Sequence, residues 1–349
     1  MAVNALSPFG ATRCTRDAAM SALDEFQVRF SMIAGVLGSA ARVEPIPSFR
    51  KKADFDELNV LIDSRAFDFM GVHHLVEELS KTYELPLPWI NNGSVLSVGL
   101  PLEDSGKFLQ INLVSTPEVD FDFSLSYFSW NDLGNLMGPV AEKMGMKFVK
   151  SGLWLQMPEH TNSDKTILVT KDFEAALRLL GFDSNRWQEG FDSIDDIYQF
   201  VASSERFHPY LYLKEYRNHT ALVEGRTCPI YKEFLPWIEA KENLNCYPWK
   251  RDKSIYIPDI FSAFPEIKDN YDQLLAKFKA INYFFDYEEV AKITGLEEDP
   301  LCQFMDYFRR KHRDNLDKLP ALSNEQMHGF VNMIFRQYKN NTELAPTPF

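Results

Sequence analysis

A change in hydrophobic pattern near Thr170 is the sequence feature that most constrains the fold of this chain. Before this point, short apolar segments with period-two alternation are interspersed with segments of helical period. After it, almost every apolar segment repeats at helical spacing. The pattern predicts the fold class α/β, of the α+β type. We expect an α/β domain over residues 1–165, a mostly helical domain over residues 166–340 and a loose tail over residues 341–349.

Short local patterns predict individual elements. A helix is expected over residues 17–37, and the alternating segments on either side of Asp104-Ser105-Gly106 predict a β-hairpin. The segments SGLWLQM and KTILVT are expected to pair as a further hairpin.

Two helix starts are also expected. Ser193 with Asp196 predicts the first residues of a helix. Ser129 or Asn131 is expected to cap a helix within residues 129–147.

Composition places the chain among globular proteins. A chain of 349 residues, of which 45% are hydrophobic and 14% aromatic, is long enough to form a sizeable core. The 28 Phe residues predict that aromatic side chains contribute much of its packing. No apolar run reaches the roughly 18 residues that a membrane-spanning helix needs. The N-terminus lacks the basic and apolar regions of a secretory signal. We therefore expect no membrane partner.

The cysteines and the net charge indicate the cellular compartment and the kinds of partner to expect. Cys14, Cys228, Cys246 and Cys302 are widely spaced and form no CxxC pair, so neither a zinc site nor a disulfide framework is indicated. We expect free, buried thiols in a reducing compartment, the cytoplasm. The net charge of −13 opposes long-range attraction to RNA or DNA, although a local basic patch could still bind either.

The segment ELNVLID, residues 57–63, predicts a short buried strand with polar side chains at its entry. Glu57 and Asn59 are two residues apart, so they lie on one face of such a strand. Two-metal phosphoryl transfer needs carboxylates that converge on cations about 3.5–4 Å apart, and this spacing supplies two ligand positions. A second register is open, in which Asp54 and Asp56 take these positions ahead of the strand.

A neighbouring strand would supply the third position. Asn112 lies at the centre of LQINLV between apolar residues, and we expect it to point inward. Asp120 and Asp122 lie beyond a proline and are less well placed. The Gly38-Ser39 turn ahead of the strand would let backbone amides approach a triphosphate.

Taken together, these segments resemble the polymerase-β-type nucleotidyltransferase superfamily. The order helix, Gly-Ser, strand with carboxylates and second strand is similar to that superfamily. The segments GSAARVEPIPSFRKKADFDELNVLI and YFSWNDLGNLMG resemble a group of large-phage and giant-virus nucleotidyltransferases. In that group the loop typically reads P-S-Y-R-S-K, followed by F-G-D-M-D and a strand such as Q-V-D-L-I. The resemblance continues into YRNHTALVEGRTCPIYKEFLPWI and so covers most of the chain.

The resemblance implies a nucleotidyltransferase-like mixed-sheet domain followed by a helical domain. The implied reaction transfers an NMP from an NTP to a hydroxyl of RNA, DNA or protein. The catalytic and metal-binding positions of the family fall on Glu57, Asn59 and Asn112, which would hold two Mg²⁺ or Mn²⁺ ions. The residues that would bind the NTP are Gly38, Ser39, Arg42, Arg50, Lys51 and Lys52.

Two of the three metal positions depart from the family pattern. Asn59 and Asn112 are amides where the family has carboxylates, and a neutral amide is a weaker ligand for Mg²⁺. Electrostatic stabilisation of the transferred phosphate would weaken with the metals, so we expect weak or no activity. The changes fit a natural paralogue that has lost catalysis or an engineered inactive protein. A regrouping of Asp54, Asp56 and Glu57 into a working site is a third interpretation. The alternative function is a non-catalytic phage binding or structural protein that reuses the fold.

Overall fold

The computed structural model describes residues 5–36, 41–102, 106–158, 165–212, 229–284, 286–312 and 323–343. The strands are β1 Cys14–Thr15, β2 Val43–Pro45, β3 Asp54–Phe55, β4 Glu57–Asp63, β5 Trp89–Asn92, β6 Val95–Pro101, β7 Phe108–Thr116, β8 Met146–Val149, β9 Gly152–Gln156 and β10 Thr166–Thr170. The helices are α1 Arg16–Val36, α2 Arg65–Met70, α3 Val72–Thr82, α4 Phe121–Asp132, α5 Gly134–Lys143, α6 Phe173–Leu179, α7 Ser184–Glu189, α8 Ile194–Ala202, α9 Pro229–Glu239, α10 Ile257–Ala263, α11 Lys268–Phe284, α12 Tyr287–Thr294, α13 Glu298–His312 and α14 Asn324–Glu343.

A mixed sheet with the strand order β2-β4-β7-β6-β5 lies at the centre of the α/β part. Strands β4 and β7 run parallel, in a register that sets Asn59 opposite Asn112. The other neighbouring strands are antiparallel. The structure therefore confirms the predicted α+β fold class, and the expected hairpin is confirmed as the pair β6 and β7.

One face of this sheet is covered by α1 and α3 and forms the main apolar core. Strand β4 contributes alternate residues to that core, as the pleat of a strand requires. Its buried members from β4 and α1 include Leu58, Val60, Ile62, Phe26 and Phe30.

The opposite face of the sheet is apolar at one end and polar at the other. Leu61 packs there with Val114 and Phe121. Asn59 and Glu57 precede Leu61 by two and four residues along β4, so the alternation of the strand places all three on the same face. The apolar end is closed by α4, and the polar end is where the candidate site lies.

Three further expectations about elements are confirmed. The predicted helix over residues 17–37 is α1, and the sheet order β10-β9-β8 pairs the segments SGLWLQM and KTILVT. At the start of α8, Asp196 N–H donates to Ser193 Oγ at 3.2 Å, and Ser193 N–H donates to Asp196 Oδ2 at 2.9 Å. These two bonds form a capping box.

The expected cap at Ser129 or Asn131 is wrong. The hydroxyl of Ser129 donates to the Leu125 carbonyl at 2.6 Å, and the residue before α5 makes no side-chain cap. Trp130 and Asn131 both adopt left-handed backbone conformations, with φ of 59° and 63°. Helical geometry is therefore interrupted within the last residues of α4, and no helix starts at residue 129.

By its internal contacts the chain divides into two compact units. The first comprises Met1–Leu155 and Leu168–Ala263, and the second comprises Gln156–Ile167 and Phe264–Phe349. The predicted boundary at residue 165 falls just before β10. It assigns α6 to α10 to the helical domain, whereas the division by contacts groups these helices with the sheet. The core of the second unit includes Val290, Leu301, Phe304, Phe308, Val331 and Ile334.

Two expectations about the setting are resolved in part. Within the described ranges, no helix is long and apolar enough to cross a membrane. Cys14 is a half-buried free thiol, whereas the free thiols of Cys246 and Cys302 are exposed. The expectation of burial is therefore wrong for these two, because Cys246 lies in an irregular segment and Cys302 lies on the outer face of α13. Cys228 lies outside the described residues.

Candidate functional site

Three polar residues singled out from the sequence meet on one face of the central sheet. Glu57 and Asn59 lie on β4, and Asn112 is the partner of Asn59 on β7. Asn112 Nδ2 donates to Glu57 Oε2 at 2.9 Å and to Asn59 Oδ1 at 3.0 Å. The structure therefore brings the three side chains together around a single atom, the amide nitrogen of Asn112.

The orientation of the Asn112 amide follows from a chain of hydrogen bonds that starts at the backbone. Leu6 N–H donates to Gln110 Oε1 at 2.9 Å. A backbone N–H can only donate, so Gln110 must present its Nε2 on the other side. There it donates to Asn112 Oδ1 at 2.9 Å and to Glu57 Oε2 at 3.1 Å. Ser97 Oγ also donates to Asn112 Oδ1, at 2.7 Å. Asn112 therefore turns its nitrogen toward β4.

This network is almost completely shielded from water on the β6 and β7 side. Gln110 is 0% exposed, Ser97 is 1% exposed and Asn112 is 2% exposed. A buried polar group that lacks a partner costs about 1–3 kcal/mol, so a network whose members satisfy one another resists rearrangement. Turning the Asn112 amide by 180° would set its nitrogen against the Gln110 nitrogen and its oxygen against the oxygens of Glu57 and Asn59, so three hydrogen bonds would be lost.

The donors and acceptors present do not fit a divalent cation as they stand. Mg²⁺ and Mn²⁺ take oxygen ligands and prefer carboxylates. Here the point between Glu57 and Asn59 is approached by the N–H group of Asn112, and only Glu57 carries a negative charge. In the described part of the chain, no group of three or more His, Cys, Asp or Glu side chains could hold a metal.

Burial also controls the charges at this site. It raises the pKa of Glu57 above the usual value for Glu. The hydrogen bond donated by the Asn112 side-chain amide and the positive charge of nearby Lys52 offset only part of that rise. Burial lowers the pKa of Lys52 against the opposing attraction of nearby carboxylates, of which Glu57 is the foremost. The Lys52 ammonium lies over the Phe55 ring, 4.6 Å from its centroid. Both charged groups are therefore held partly out of water.

Glu57 and Asn59 line a cavity of about 370 Å³ that lies within the unit containing the sheet. This volume is near the lower end of the range of about 300–1,000 Å³ that is usual for ligand pockets. Asn112 lies behind the lining and supports it. The main polar side chains of the lining are Arg16, Lys52, Glu57, Asn59, Asn131 and Glu233.

Some residues of the site were not found from the sequence. Gln110 alternates with Asn112 in LQINLV, so the spacing on β7 could have indicated it. Arg16 lies on α1 and Glu233 lies on α9, and no local signal connects such distant segments.

Arg50 and Lys51, which are expected to bind the NTP, form ion pairs with Asp192 in this structure. Arg50 Nε donates to Asp192 Oδ1 at 2.6 Å, and Lys51 Nζ lies 3.2 Å from Asp192 Oδ2. The backbone N–H of Arg50 donates to the Phe191 carbonyl at 2.9 Å. Neither residue lines the cavity, and together they attach their loop to the segment before α8.

Of the other residues predicted to bind the NTP, one lines the cavity and one does not. Arg42 Nη1 donates to Asp122 Oδ1 at 2.9 Å, away from the cavity lining. Lys52 does line the cavity. Gly38 and Ser39 lie outside the described residues.

The alternative register is not assembled. Asp54 belongs to the short strand β3, and both Asp54 and Asp56 face Arg13 at 3.5 Å and 2.6 Å. The interpretation in which they regroup with Glu57 is therefore wrong, because their carboxylates are paired on an exposed edge while Glu57 points to the cavity.

No known family model matches this chain, and no curated protein is significantly similar to it. The site must therefore be interpreted from its own chemistry.

Proposed function

We propose that this protein is a catalytically silent, ligand-binding protein with a nucleotidyltransferase-like fold. The observation that carries the proposal is the bifurcated donation from Asn112 Nδ2 to Glu57 Oε2 and Asn59 Oδ1, at 2.9 Å and 3.0 Å. The amide hydrogens there satisfy the oxygens that the resemblance assigns to metal ions. Phosphoryl transfer relies on such ions to neutralise charge at the transferred group, so their replacement by N–H groups removes the main source of catalysis.

The arrangement of the sheet supports the likeness to the nucleotidyltransferase superfamily. The helix α1 precedes β4, the polar entry of β4 faces a cavity, and the second polar strand β7 lies directly beside β4. This is the order of elements on which the resemblance in sequence rests.

The cavity supports a retained binding function. It is of ligand size, and its lining combines apolar side chains with two carboxylates, two amides and two basic groups. A pocket with apolar walls and a few placed polar groups is the usual form of a small-molecule site. Loss of the metal ligands would leave such a site able to bind without reacting.

Transfer activity is the direct test. The wild type would be incubated with α-labelled NTPs, with Mg²⁺ or Mn²⁺ and with RNA, DNA and protein acceptors. We expect no labelled product from the wild type above that of a protein-free reaction. Labelled product formed by the wild type would contradict the proposal.

A double variant tests why the wild type is silent. Asn59→Asp with Asn112→Asp restores three carboxylates, and the matched control is Asn91→Asp with Asn92→Asp, which places the same charges on the exposed strand β5. We expect the first pair to gain metal-dependent transfer and the control pair to stay silent. Circular dichroism of each variant would show whether it is folded, and the wild-type result decides the proposal if the double variant is not.

A further inference from the structure

The charges that line the cavity balance. Arg16 and Lys52 are basic, and Glu57 and Glu233 are acidic, so the formal sum is zero. The Arg16 guanidinium also donates to the Lys52 carbonyl at 3.2 Å, which holds it at the edge of the site. A triphosphate brings a charge of about −3 to −4, and a partly desolvated carboxylate such as Glu57 repels it unless cations intervene.

The walls of the cavity are mainly apolar and come from several segments of the chain. They would cover the body of a ligand that has little charge, since apolar burial contributes about 25 cal/mol per Å². Aromatic side chains among them favour a planar partner, because flat rings pack well against flat rings. The principal apolar side chains are Met20, Leu23, Phe55, Phe128, Ile194 and Ile230.

At the inner end the cavity offers a hydrogen-bonding edge. Glu57 Oε2 and Asn59 Oδ1 are both bound to the Asn112 amide nitrogen, which draws the two side chains together. Among the described residues, no side chain or backbone group donates to Glu57 Oε1 or accepts from Asn59 Nδ2. The edge therefore presents an acceptor beside a donor. A planar amide-type group, with its own donor beside an acceptor, is the chemical complement of such an edge.

From these three features we propose that the cavity binds an uncharged, planar heteroaromatic ligand with a lactam or amidine edge, the chemical class of the nucleobases, and disfavours polyphosphates. This inference rests on the proposed binding function and names its ligand class. The ring lies between the apolar walls, and its N–H group donates a hydrogen bond to Glu57 Oε1. Its ring nitrogen or carbonyl oxygen accepts a hydrogen bond from Asn59 Nδ2. A binding contribution from a triphosphate chain is absent, because the position of the metals is occupied by the Asn112 amide.

Calorimetric titration of the wild-type protein compares each nucleoside with its own triphosphate. The probes are adenosine, guanosine, cytidine and uridine, and then ATP, GTP, CTP and UTP in the presence of Mg²⁺. We expect at least one nucleoside to bind, and its triphosphate to bind about ten-fold more weakly or worse. Tighter binding of the triphosphates, or no binding of any nucleoside, would overturn the inference. The proposed lack of catalysis fails separately, on formation of labelled product.

Two substitutions one residue apart supply a matched pair for the same titration. Glu57→Gln removes the charged acceptor while keeping its shape, and we expect nucleoside binding to weaken about ten-fold. Asp56→Asn removes an equal charge outside the cavity lining, and we expect affinity to change by less than about two-fold. Equal effects of the two variants would show that the ligand responds only to the general field and would refute the assigned contact.

Discussion

Asn59 and Asn112 lie opposite each other on the paired parallel strands β4 and β7, and the amide of one donates to the amide oxygen of the other at 3.0 Å. Two carboxylates in this register would repel each other unless a cation lay between them. The amide pair instead attracts, so this contact is complete without a cation. We therefore expect the stability of the fold and the proposed lack of metal chemistry to depend on the same contact.

Asn112→Asp should destabilise the protein. The new carboxylate would face Glu57 Oε2 and Asn59 Oδ1, which both accept, and it is nearly completely buried. We expect the free energy of unfolding at pH 7 to fall by about 3 kcal/mol or more. Added Mg²⁺ or Mn²⁺ should restore part of the loss. Urea denaturation with and without metal measures both effects, and Asn91→Asp on the exposed strand β5 is the control. An unchanged midpoint for Asn112→Asp would contradict the network.

Gln110→Met should also be costly, although it keeps the volume of the side chain. It removes the acceptor of the Leu6 N–H and the donor to Asn112 and Glu57. We expect a loss of about 2–3 kcal/mol in the free energy of unfolding, since buried partners are left unpaired. Chemical denaturation followed by intrinsic fluorescence would measure it. Gln303→Met, on the exposed face of α13, should change stability by no more than about 0.5 kcal/mol.

The pH dependence of stability should reveal the buried charge of Glu57. Its pKa is raised by burial, so the folded state binds the proton more tightly than the unfolded state does. The wild type should therefore lose stability as the pH rises from the usual pKa of Glu through the raised one, and Glu57→Gln should lose less over that window.

Asp56→Asn provides a comparison of opposite sign. The hydrogen bond and charge of Arg13 lower the pKa of Asp56, so its contribution to stability is present above the unfolded pKa and is lost as the pH falls. Denaturation curves of the wild type and both variants between about pH 2 and pH 8 would cover the windows of both carboxyl groups and test the pair. If Glu57→Gln and the wild type respond identically to pH, the buried charge of Glu57 is not present.

Lys52 should titrate below its usual range. Burial lowers the pKa of its amine, and the amine lines the cavity. Competitive amine labelling as a function of pH, read by peptide mass spectrometry, should give a midpoint for Lys52 below 10.5. A bound ligand should slow labelling of Lys52 while leaving the exposed Lys147 unchanged. A midpoint at or above 10.5 would contradict this prediction, because burial would then not outweigh the attraction of the nearby carboxylates.

Asn131 should tolerate glycine better than a β-branched residue. Its φ of 63° and ψ of 46° lie in the left-handed region, where Gly and Asn are accommodated and Val is strained. We expect Asn131→Val to cost about 1–2 kcal/mol and Asn131→Gly to cost less than about 0.5 kcal/mol. Thermal and urea unfolding would separate the two. Equal losses would indicate that the side chain of Asn131, and not its backbone, is what the turn requires.

The sequence by itself determined the class of the fold and the strand that carries the site. Alternation in ELNVLID and the turn between β6 and β7 are local patterns, and the pleat of a strand converts them directly into faces. For this reason Glu57 and Asn59 could be assigned to one face, and the capping box at Ser193 could be identified from two residues. The same local logic failed at Ser129, because the chain turns there through left-handed conformations at Trp130 and Asn131, and the Trp130 N–H donates to the carbonyl of the distant Pro47.

Only the tertiary structure decided which atom faces which. The direction of the Asn112 amide depends on Gln110, and that of Gln110 depends on the backbone N–H of Leu6, more than a hundred residues away in sequence. The ion pairs of Arg50 and Lys51 likewise depend on Asp192, which lies far away in the sequence. Hydrogen bonds between distant segments are set by how the chain packs in three dimensions, and a one-dimensional pattern contains no record of which donors and acceptors will become neighbours.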